Sequence, residues 1–252
     1  MKMSTEHAVS DEILVKLGEL PTQTLIDGLW VDNWPQSMIH GARSIFPGQK
    51  MVGRAVTLRF VPHRPDILAD KPSAEDSPEY VAFELCGPNE VLVASSVGPW
   101  ESVGGDIKFY RLAQLKAAGL VTDGSVRDTA ELKDYGFPVF AYSSTAKQGP
   151  AVMQPWGVNE VISCGGVVVR PGDAIVGVVV RPGDAIVGDE DGVVVVPSIM
   201  CERVLEIAAE REKIERVIKL ELRKNPGSPG KYYPFNENTK KLFEEYKSRG
   251  EV

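Results

Sequence analysis

Hydrophobic and polar positions change period repeatedly along this chain, and the changes predict an alternation of helices and strands. After a loose start from Met1, Ser10-Asp11 caps a helix running to about Leu20, and Pro21-Thr22 opens a shorter one carrying Leu25, Ile26 and Leu29. Trp30 and Trp34 follow, read as core or interface packing rather than ligand stacking. Alternation across Met51 to Val61 predicts a strand, and the Pro- and Asp-rich stretch from Pro62 to Pro78 a surface loop. Val91 to Ala94 predicts a second strand, feeding Ser95 to Trp100. Ile107, Tyr110, Leu115 and Ala118 then recur at helical intervals behind Asp106 as N-cap, until Gly119 stops the helix.

Leu120-Val121 reads as a short buried strand and Thr122-Asp123-Gly124 as a turn, so Arg127 and Asp128 arrive at a strand's carboxyl end. A short helix ended by Gly136-Phe137-Pro138 and a strand from Val139 to Tyr142 continue the alternation, which implies a parallel, two-sided arrangement. Beyond Gln148 the chain is strand-rich with Pro-Gly turns, so the class is mixed α/β. Pro197-Ser198 caps a long helix to about Arg223, with Val204, Leu205, Ala208, Val217 and Ile218 as a partial apolar stripe. Asn225 to Gly230 is a break. The chain thus divides into an N-terminal arm (1–20), an α/β domain (21–224) and a tail (225–252) whose Tyr232, Tyr233 and Phe235 dock on their own domain or on a neighbouring subunit.

Residues 166–176, GVVVRPGDAIV, recur without change at 177–187. An odd insertion of this length reverses every side chain's face in a period-two strand. The repeat is therefore expected to add a turn at the second Arg-Pro-Gly-Asp and a new strand or bulge.

Composition narrows the function classes. A net charge of -7 argues against a nucleic-acid-binding face, so anionic ligands must be drawn in by a local positive site. Cys86, Cys164 and Cys201 form no CxxC or disulfide framework, and the isolated His7, His40 and His63 argue against a histidine zinc site. No early basic-plus-apolar segment and no apolar run of spanning length is present, which predicts a cytoplasmic protein without a membrane partner.

The chemistry concentrates between Gly104 and Asp128. Gly104-Gly105 ahead of a helix leave backbone N–H groups free to meet a carboxylate, aided by the helix dipole. Arg127 can grip the same anion with two donors, while Asp128 and Asp106 can hold a hard divalent cation directly or through water. Structural roles stand beside these. Asp106 reads equally as a plain N-cap, Asp128 as the start of a D-T-A-E capping box with Glu131, and Arg127 as an ion-pair partner of Asp123 or Asp128.

The pattern of Asp106, twenty residues, and Arg127-Asp128, inside G-G-D and L-V-T-D-G-S-V-R-D, resembles the class II pyruvate aldolases that cleave 4-hydroxy-4-methyl-2-oxoglutarate and 4-carboxy-4-hydroxy-2-oxoadipate. Gly53 to Thr57 and Gly188 to Pro197 support the resemblance, which covers roughly residues 20 to 200. The same fold includes the regulators of ribonuclease E activity and proteins labelled demethylmenaquinone methyltransferase. The resemblance implies a layered α/β/β/α sandwich of the swivelling β/β/α type, assembled as a homotrimer or homohexamer with sites at subunit contacts. It implies Mg²⁺ or Mn²⁺ on Asp128, with Asp106 acting through water. A 2-oxo acid substrate would lie against Gly105, Asp106, Ile107, Lys108 and Arg127. Retro-aldol cleavage to pyruvate and a second oxo acid would follow, with oxaloacetate decarboxylation as a side activity and a water at the cation as the simplest base. It also implies an acidic group from a neighbouring subunit, for which Asp189 to Asp191 is a candidate, although a hairpin turn is the favoured reading of those residues. Arg54, Arg59 and Arg111 are further candidates for the pocket, as are Trp100 and Glu101.

Rival readings are a Schiff-base aldolase using Lys108 or Lys116, a methyltransferase, and a non-enzymatic regulator binding ribonuclease E or another protein. The first lacks any sign of a buried lysine, and the second lacks a Gly-rich nucleotide loop after a strand.

Overall fold

A computed structural model describes residues 9–35, 37–171 and 183–252. Ser10 accepts a bond from the Ile13 N–H at 3.2 Å and so starts α1 (Asp11–Gly18), and α2 (Thr22–Val31) follows directly after Pro21. A short β1 (Arg43–Ser44) precedes the long β2 (Met51–Pro62). The Pro-rich stretch after it holds two 3-10 turns and then α3 (Pro78–Glu84), a helix that the composition concealed. Pro78 sits at the first helical position, where a missing N–H costs nothing.

From β3 (Glu90–Ser95) the chain passes through α4 (Asp106–Gln114), β4 (Gly119–Thr122), β5 (Ser125–Val126), α5 (Thr129–Tyr135), β6 (Val139–Ala141) and β7 (Ser143–Ser144). Four strands, β8 (Met153–Val158), β9 (Ile162–Cys164), β10 (Val167–Val169) and β11 (Ala185–Asp189), lead to β12 (Gly192–Val196), the long α6 (Cys201–Lys224) and α7 (Glu237–Ser248).

The main mixed sheet runs β1-β6-β4-β3-β2-β11-β12, with β8 added to the far half of β2. Its centre, β2, β3, β4 and β6, is parallel, and β11 and β12 complete it as an antiparallel hairpin. Period-two burial sorts the layers. Val56, Leu58, Leu92, Leu120 and Val139 face α3, α4 and α5, where Phe83, Phe109 and Leu132 close the core. Ala55, Val91, Val93, Val121 and Phe140 face the other way, onto the β9-β10 ribbon and onto Ile186, Val193 and Val195. The alternate residues of the last two strands, Ala185, Val187, Val194 and Val196, pack on α1, α2 and α6. This is a mixed α/β fold of the layered kind.

Several expectations need correction. The helix behind Asp106 ends at Gln114 rather than running to Gly119, because Lys116 adopts a left-handed φ of 57°. Its buried face is Phe109 and Leu112, whereas Ile107 and Tyr110 are 82% and 51% exposed. Trp30 is 70% exposed, so it serves no core of this chain. Ser198 belongs to a 3-10 turn, and α6 begins at Cys201 without a side-chain cap. The aromatic tail packs on α6 of its own chain: Tyr232, Leu242 and Tyr246 meet Val217 and Ile218.

The repeat supplies strands from different copies, β10 from the first and β11 from the second. The turn expected at the second Arg-Pro-Gly-Asp begins at 181 and lies partly outside the described residues. Among the described residues, no helix is long and apolar enough to cross a membrane.

Candidate active site

Parallel β3 and β4 end at Ser95 and Thr122, and the segments leaving those ends carry the polar side chains. This is the carboxyl edge at which open α/β sheets bind ligands. The two segments are stitched together by backbone bonds: Val103 N–H donates to the Ser125 carbonyl at 3.0 Å and Arg127 N–H to the Gly104 carbonyl at 2.9 Å. Asp123 tightens the same corner by accepting from the Ser96 and Gly165 N–H groups, both at 2.8 Å. It is therefore not the ion-pair partner of Arg127.

Gly105 is the N-cap of α4, with an extended φ of -170°, and Asp106 is the first helical residue. The expected cap role for Asp106 is thus corrected by one position. The first helical bond runs from Phe109 N–H to the Gly105 carbonyl at 3.0 Å, so Asp106, Ile107 and Lys108 present the orphan N–H groups of the helix end. The Asp106 Oδ1 accepts from the Tyr135 hydroxyl on α5. That bond pushes the Tyr135 phenol up to about 12, because ionising it would place a second negative charge beside the carboxylate.

Asp128 does not take the capping-box role. It precedes α5 with φ 57° and ψ 47°, and its side chain makes no cap bond. A left-handed non-glycine residue carries roughly 1 kcal/mol or more of strain. The turn swings the carboxylate away from the α5 amides and onto Gly105. A Cβ at Gly105 would collide with Asp128 Oδ2 and lie 2.9 Å from Arg127 Cβ, so glycine is what permits the close approach. Arg127 reaches Asp128 loosely, at 4.0 Å.

Gly105, Asp106, Ile107, Lys108, Arg127 and Asp128 together line one cavity of about 450 Å³. All six residues singled out in the sequence therefore meet. The cavity also holds Glu79, Phe60, Gln148 and Met153, which sequence spacing did not reveal. Glu79 lies on the concealed helix α3 and is 9% exposed; its two oxygens take Lys108 Nζ at 2.9 and 2.7 Å. A lysine whose head group is taken up by two carboxylate oxygens is not free to attack a carbonyl as a Schiff-base nucleophile. Lys116, the other candidate, is exposed at the end of α4.

Other candidates lie elsewhere. Arg54 bonds the Val9 carbonyl and Asp11, Arg59 pairs with Glu160, and Arg111 with Glu84. Trp100 stacks edge-on against Tyr142, with ring centroids 5.2 Å apart, and Glu101 pairs with Lys147 at 2.7 Å. Asp189 stands in the β11-β12 hairpin and caps α2, accepting from Thr22 N–H at 2.9 Å and Thr22 Oγ1 at 2.7 Å, so the turn reading describes that stretch.

No three His, Cys, Asp or Glu side chains form a metal cluster among the described residues, but beside the lysine-paired Glu79 two further carboxylates, Asp106 and Asp128, line the one cavity. Asp128 is free of hydrogen-bond donors among the described residues, and one oxygen of Asp106 is likewise uncommitted. One or two carboxylates with water and a substrate oxygen is the set that a small, hard divalent cation takes, so the residues present fit Mg²⁺ or Mn²⁺. Arg127 and a helix N-terminus beside that pair suit a ligand that is both an anion and a chelate.

Comparison with known proteins places the chain in a family. A Halalkalibacterium halodurans protein named "Putative 4-hydroxy-4-methyl-2-oxoglutarate aldolase" is 34% identical over 135 residues, covering 52% of this chain and 57% of that protein, so the match spans just over half its length. An uncharacterized protein of Methanocaldococcus jannaschii is 28% identical over 185 residues, covering 72% of this chain and 77% of its own. Among solved structures, the Streptomyces coelicolor RraAS2, described as an unusual member of the RNase ES inhibitor RraA family, superimposes with a TM-score of 0.72 at 25% identity, covering 84% of this chain and 98% of that one. The family model for RraA-like aldolase/RraA proteins matches residues 22–195, and the chain belongs to that family.

Proposed function

We propose that the protein is a divalent-metal-dependent pyruvate aldolase, cleaving a 4-hydroxy-2-oxo acid to pyruvate and a second carbonyl fragment, with oxaloacetate decarboxylation as a side activity. The observation that carries this reading is the left-handed Asp128, whose carboxylate is withdrawn from helix capping and placed against Gly105, beside Asp106 and Arg127. In this reading the substrate carboxylate lies at the α4 N–H groups of Asp106, Ile107 and Lys108, and the Arg127 guanidinium grips it. Asp128 would hold Mg²⁺ or Mn²⁺ directly, and Asp106 would do so through water.

The cation, when bound, supplies Lewis-acid stabilisation of the enolate charge. Water takes the proton of the 4-hydroxyl, the C4 oxygen becomes a carbonyl as the C3–C4 bond breaks, the electron pair of that bond passes into the pyruvate enolate, and water returns a proton at C3. Arg127 is the fixed positive group placed to favour that charge, and the helix end adds N–H donors that need not reorganise. Tyr135 holds Asp106 in one rotamer throughout.

The test is pyruvate release from a panel of 4-hydroxy-2-oxo acids and from oxaloacetate, with Mg²⁺, with EDTA, and in an Asp128→Ala variant. Release that needs the cation and falls by at least about a hundredfold in the variant is the expected result. Unaltered release in Asp128→Ala would overturn the reading. The Streptomyces relative favours a second one, a non-enzymatic regulator that binds ribonuclease E or another protein. Retrieval of ribonuclease E by a folded protein without lyase activity would support it.

A further inference from the structure

We propose that Tyr135 is a positioning residue for the divalent cation, acting through Asp106; this rests on the cation reading of the same site. One short helix then sets both carboxylates, and cation affinity depends on a hydroxyl that touches neither cation nor substrate.

Helix α5 (Thr129–Tyr135) is only 7 residues long, and both of its ends are committed. At its start, Leu132 N–H donates to the Asp128 carbonyl at 3.1 Å, so the Asp128 backbone belongs to the helix while its carboxylate stands against Gly105. At its end, Tyr135 is the last helical residue, because Gly136 turns left-handed at φ 75°, and the Tyr135 hydroxyl donates to Asp106 Oδ1. Gly105 and Asp106 are neighbours, so the contacts close a circuit: Asp106 to Tyr135, back along α5 to Asp128, and across to Gly105. The bond from Arg127 N–H to the Gly104 carbonyl, at 2.9 Å, locks the same seam from the other side.

Packing fixes this circuit. Leu132 is fully buried and roots α5 in the core, and the Tyr135 ring packs against Tyr110 with centroids 5.3 Å apart. The hydroxyl is thereby held in one place. An aspartate in the first turn of a helix otherwise exchanges rotamers, whereas a carboxylate that accepts from a fixed phenol does not. The phenol has one proton to give, and giving it to Oδ1 leaves the other Asp106 oxygen for water at the cation. A carboxylate already ordered loses less entropy when it takes that water. Every member of the circuit belongs to one chain, so groups from a second copy would add to it rather than replace it.

A plainer role stands beside this one. A partly buried phenol needs a hydrogen-bond partner, and a strap between α4 and α5 stabilises the fold whether or not a cation binds. The two roles separate experimentally, because only positioning passes through the Asp106 carboxylate.

The experiment measures Mn²⁺ binding to the full chain by calorimetry, without substrate, in the wild type, Tyr135→Phe, Asp106→Ala and the double variant, with thermal unfolding of each alongside. The expected result is Mn²⁺ affinity about tenfold weaker in Tyr135→Phe, the low end of what losing an outer hydrogen-bond partner costs a metal site. In the Asp106→Ala background the same substitution should change affinity by less than about twofold, because the carboxylate through which it acts is gone. Phe keeps the ring against Tyr110 and removes one oxygen, so the variant retains the packing of α5. Unchanged Mn²⁺ affinity in Tyr135→Phe, whether or not its Tm falls, would overturn the proposal, as would an equal loss with and without the Asp106 carboxylate. Because binding is read without turnover, a protein that shows this pattern but releases no pyruvate would sink the aldolase reading alone; one that binds no Mn²⁺ in any form would sink both.

Discussion

Substituting Gly105 by Ala isolates the contact on which the site depends. The φ of -170° at Gly105 is ordinary extended backbone, so alanine brings no backbone strain there. What it brings is one methyl group, driven into Asp128 Oδ2, 2.9 Å from Arg127 Cβ and 3.1 Å from the Arg127 carbonyl oxygen. The carboxylate can rotate away, but Arg127 Cβ and its carbonyl are fixed by the bond from Arg127 N–H to Gly104 at 2.9 Å, so the 127–128 turn itself must move. Overpacking of this kind costs about 1–3 kcal/mol, which corresponds to a fall in Tm of roughly 2–10 °C for a domain of this size. A displacement of even about 1 Å at a catalytic group costs on the order of a hundredfold in rate. Thermal unfolding and pyruvate release from the same preparation check both effects. A variant with a modest fall in Tm and a large loss of Mn²⁺-dependent release is the expected result. Wild-type release in a Gly105→Ala protein whose Tm has fallen would show that cleavage does not happen where Asp128 meets Gly105, and an unchanged Tm would show that the contact is not there.

Two further outcomes follow from local geometry. The Tyr135 phenol, held up to about 12 by the Asp106 carboxylate, is expected to ionise last in an ultraviolet phenolate titration and to be the phenol missing from Tyr135→Phe. Its raised value means that the bond stabilises the fold fully below the ordinary phenol pKa of about 10 and loses that contribution as pH climbs to about 12, so Tyr135→Phe should abolish a fall in stability confined to that interval. Excision of 172–182 regenerates one Arg-Pro-Gly-Asp from Arg170, Pro171, Gly183 and Asp184, whose ends already bond at 2.9 Å (Arg170 N–H to Asp184 Oδ2) and 3.2 Å (Asp184 N–H to Arg170 carbonyl). The shorter connection should fold as well or better, and failure to fold would show that the excised residues are needed.

The strands and the site motif were legible because they are local in sequence. Alternation marks β2 and β3 to within a residue or so of their ends, and the glycines at 104 and 105 mark where a helix must start. What was missed depends on partners far along the chain. Helix α3 hides behind a Pro-rich stretch because proline at a first helical position looks the same as proline in a loop. Glu79 therefore could not be joined to Lys108, 29 residues away, although the pair forms one wall of the cavity. Ile107 and Tyr110 misled for a related reason: their spacing is helical, yet the face that packs is set by Phe109 and Leu112 against the sheet.

Asp128 shows how far a local motif carries an argument. D-T-A-E before an apolar position is a sound capping signature, and with an extended Asp128 the carboxylate would bond the first amides of α5. In the structure the backbone at 128 is left-handed, Glu131 is exposed, and α5 starts without a side-chain cap. A cap is worth about 1 kcal/mol, and the left-handed turn costs roughly as much again, so the arrangement forgoes about 2 kcal/mol of local stability. No apolar burial recovers it, because the Asp128 side chain remains 38% exposed. What the turn achieves is to set a carboxylate free of hydrogen-bond donors, among the described residues, against Gly105 and beside Arg127, at the edge of a cavity whose far wall is apolar. Local instability that yields no packing but positions a carboxyl group is the mark of a site rather than of a scaffold.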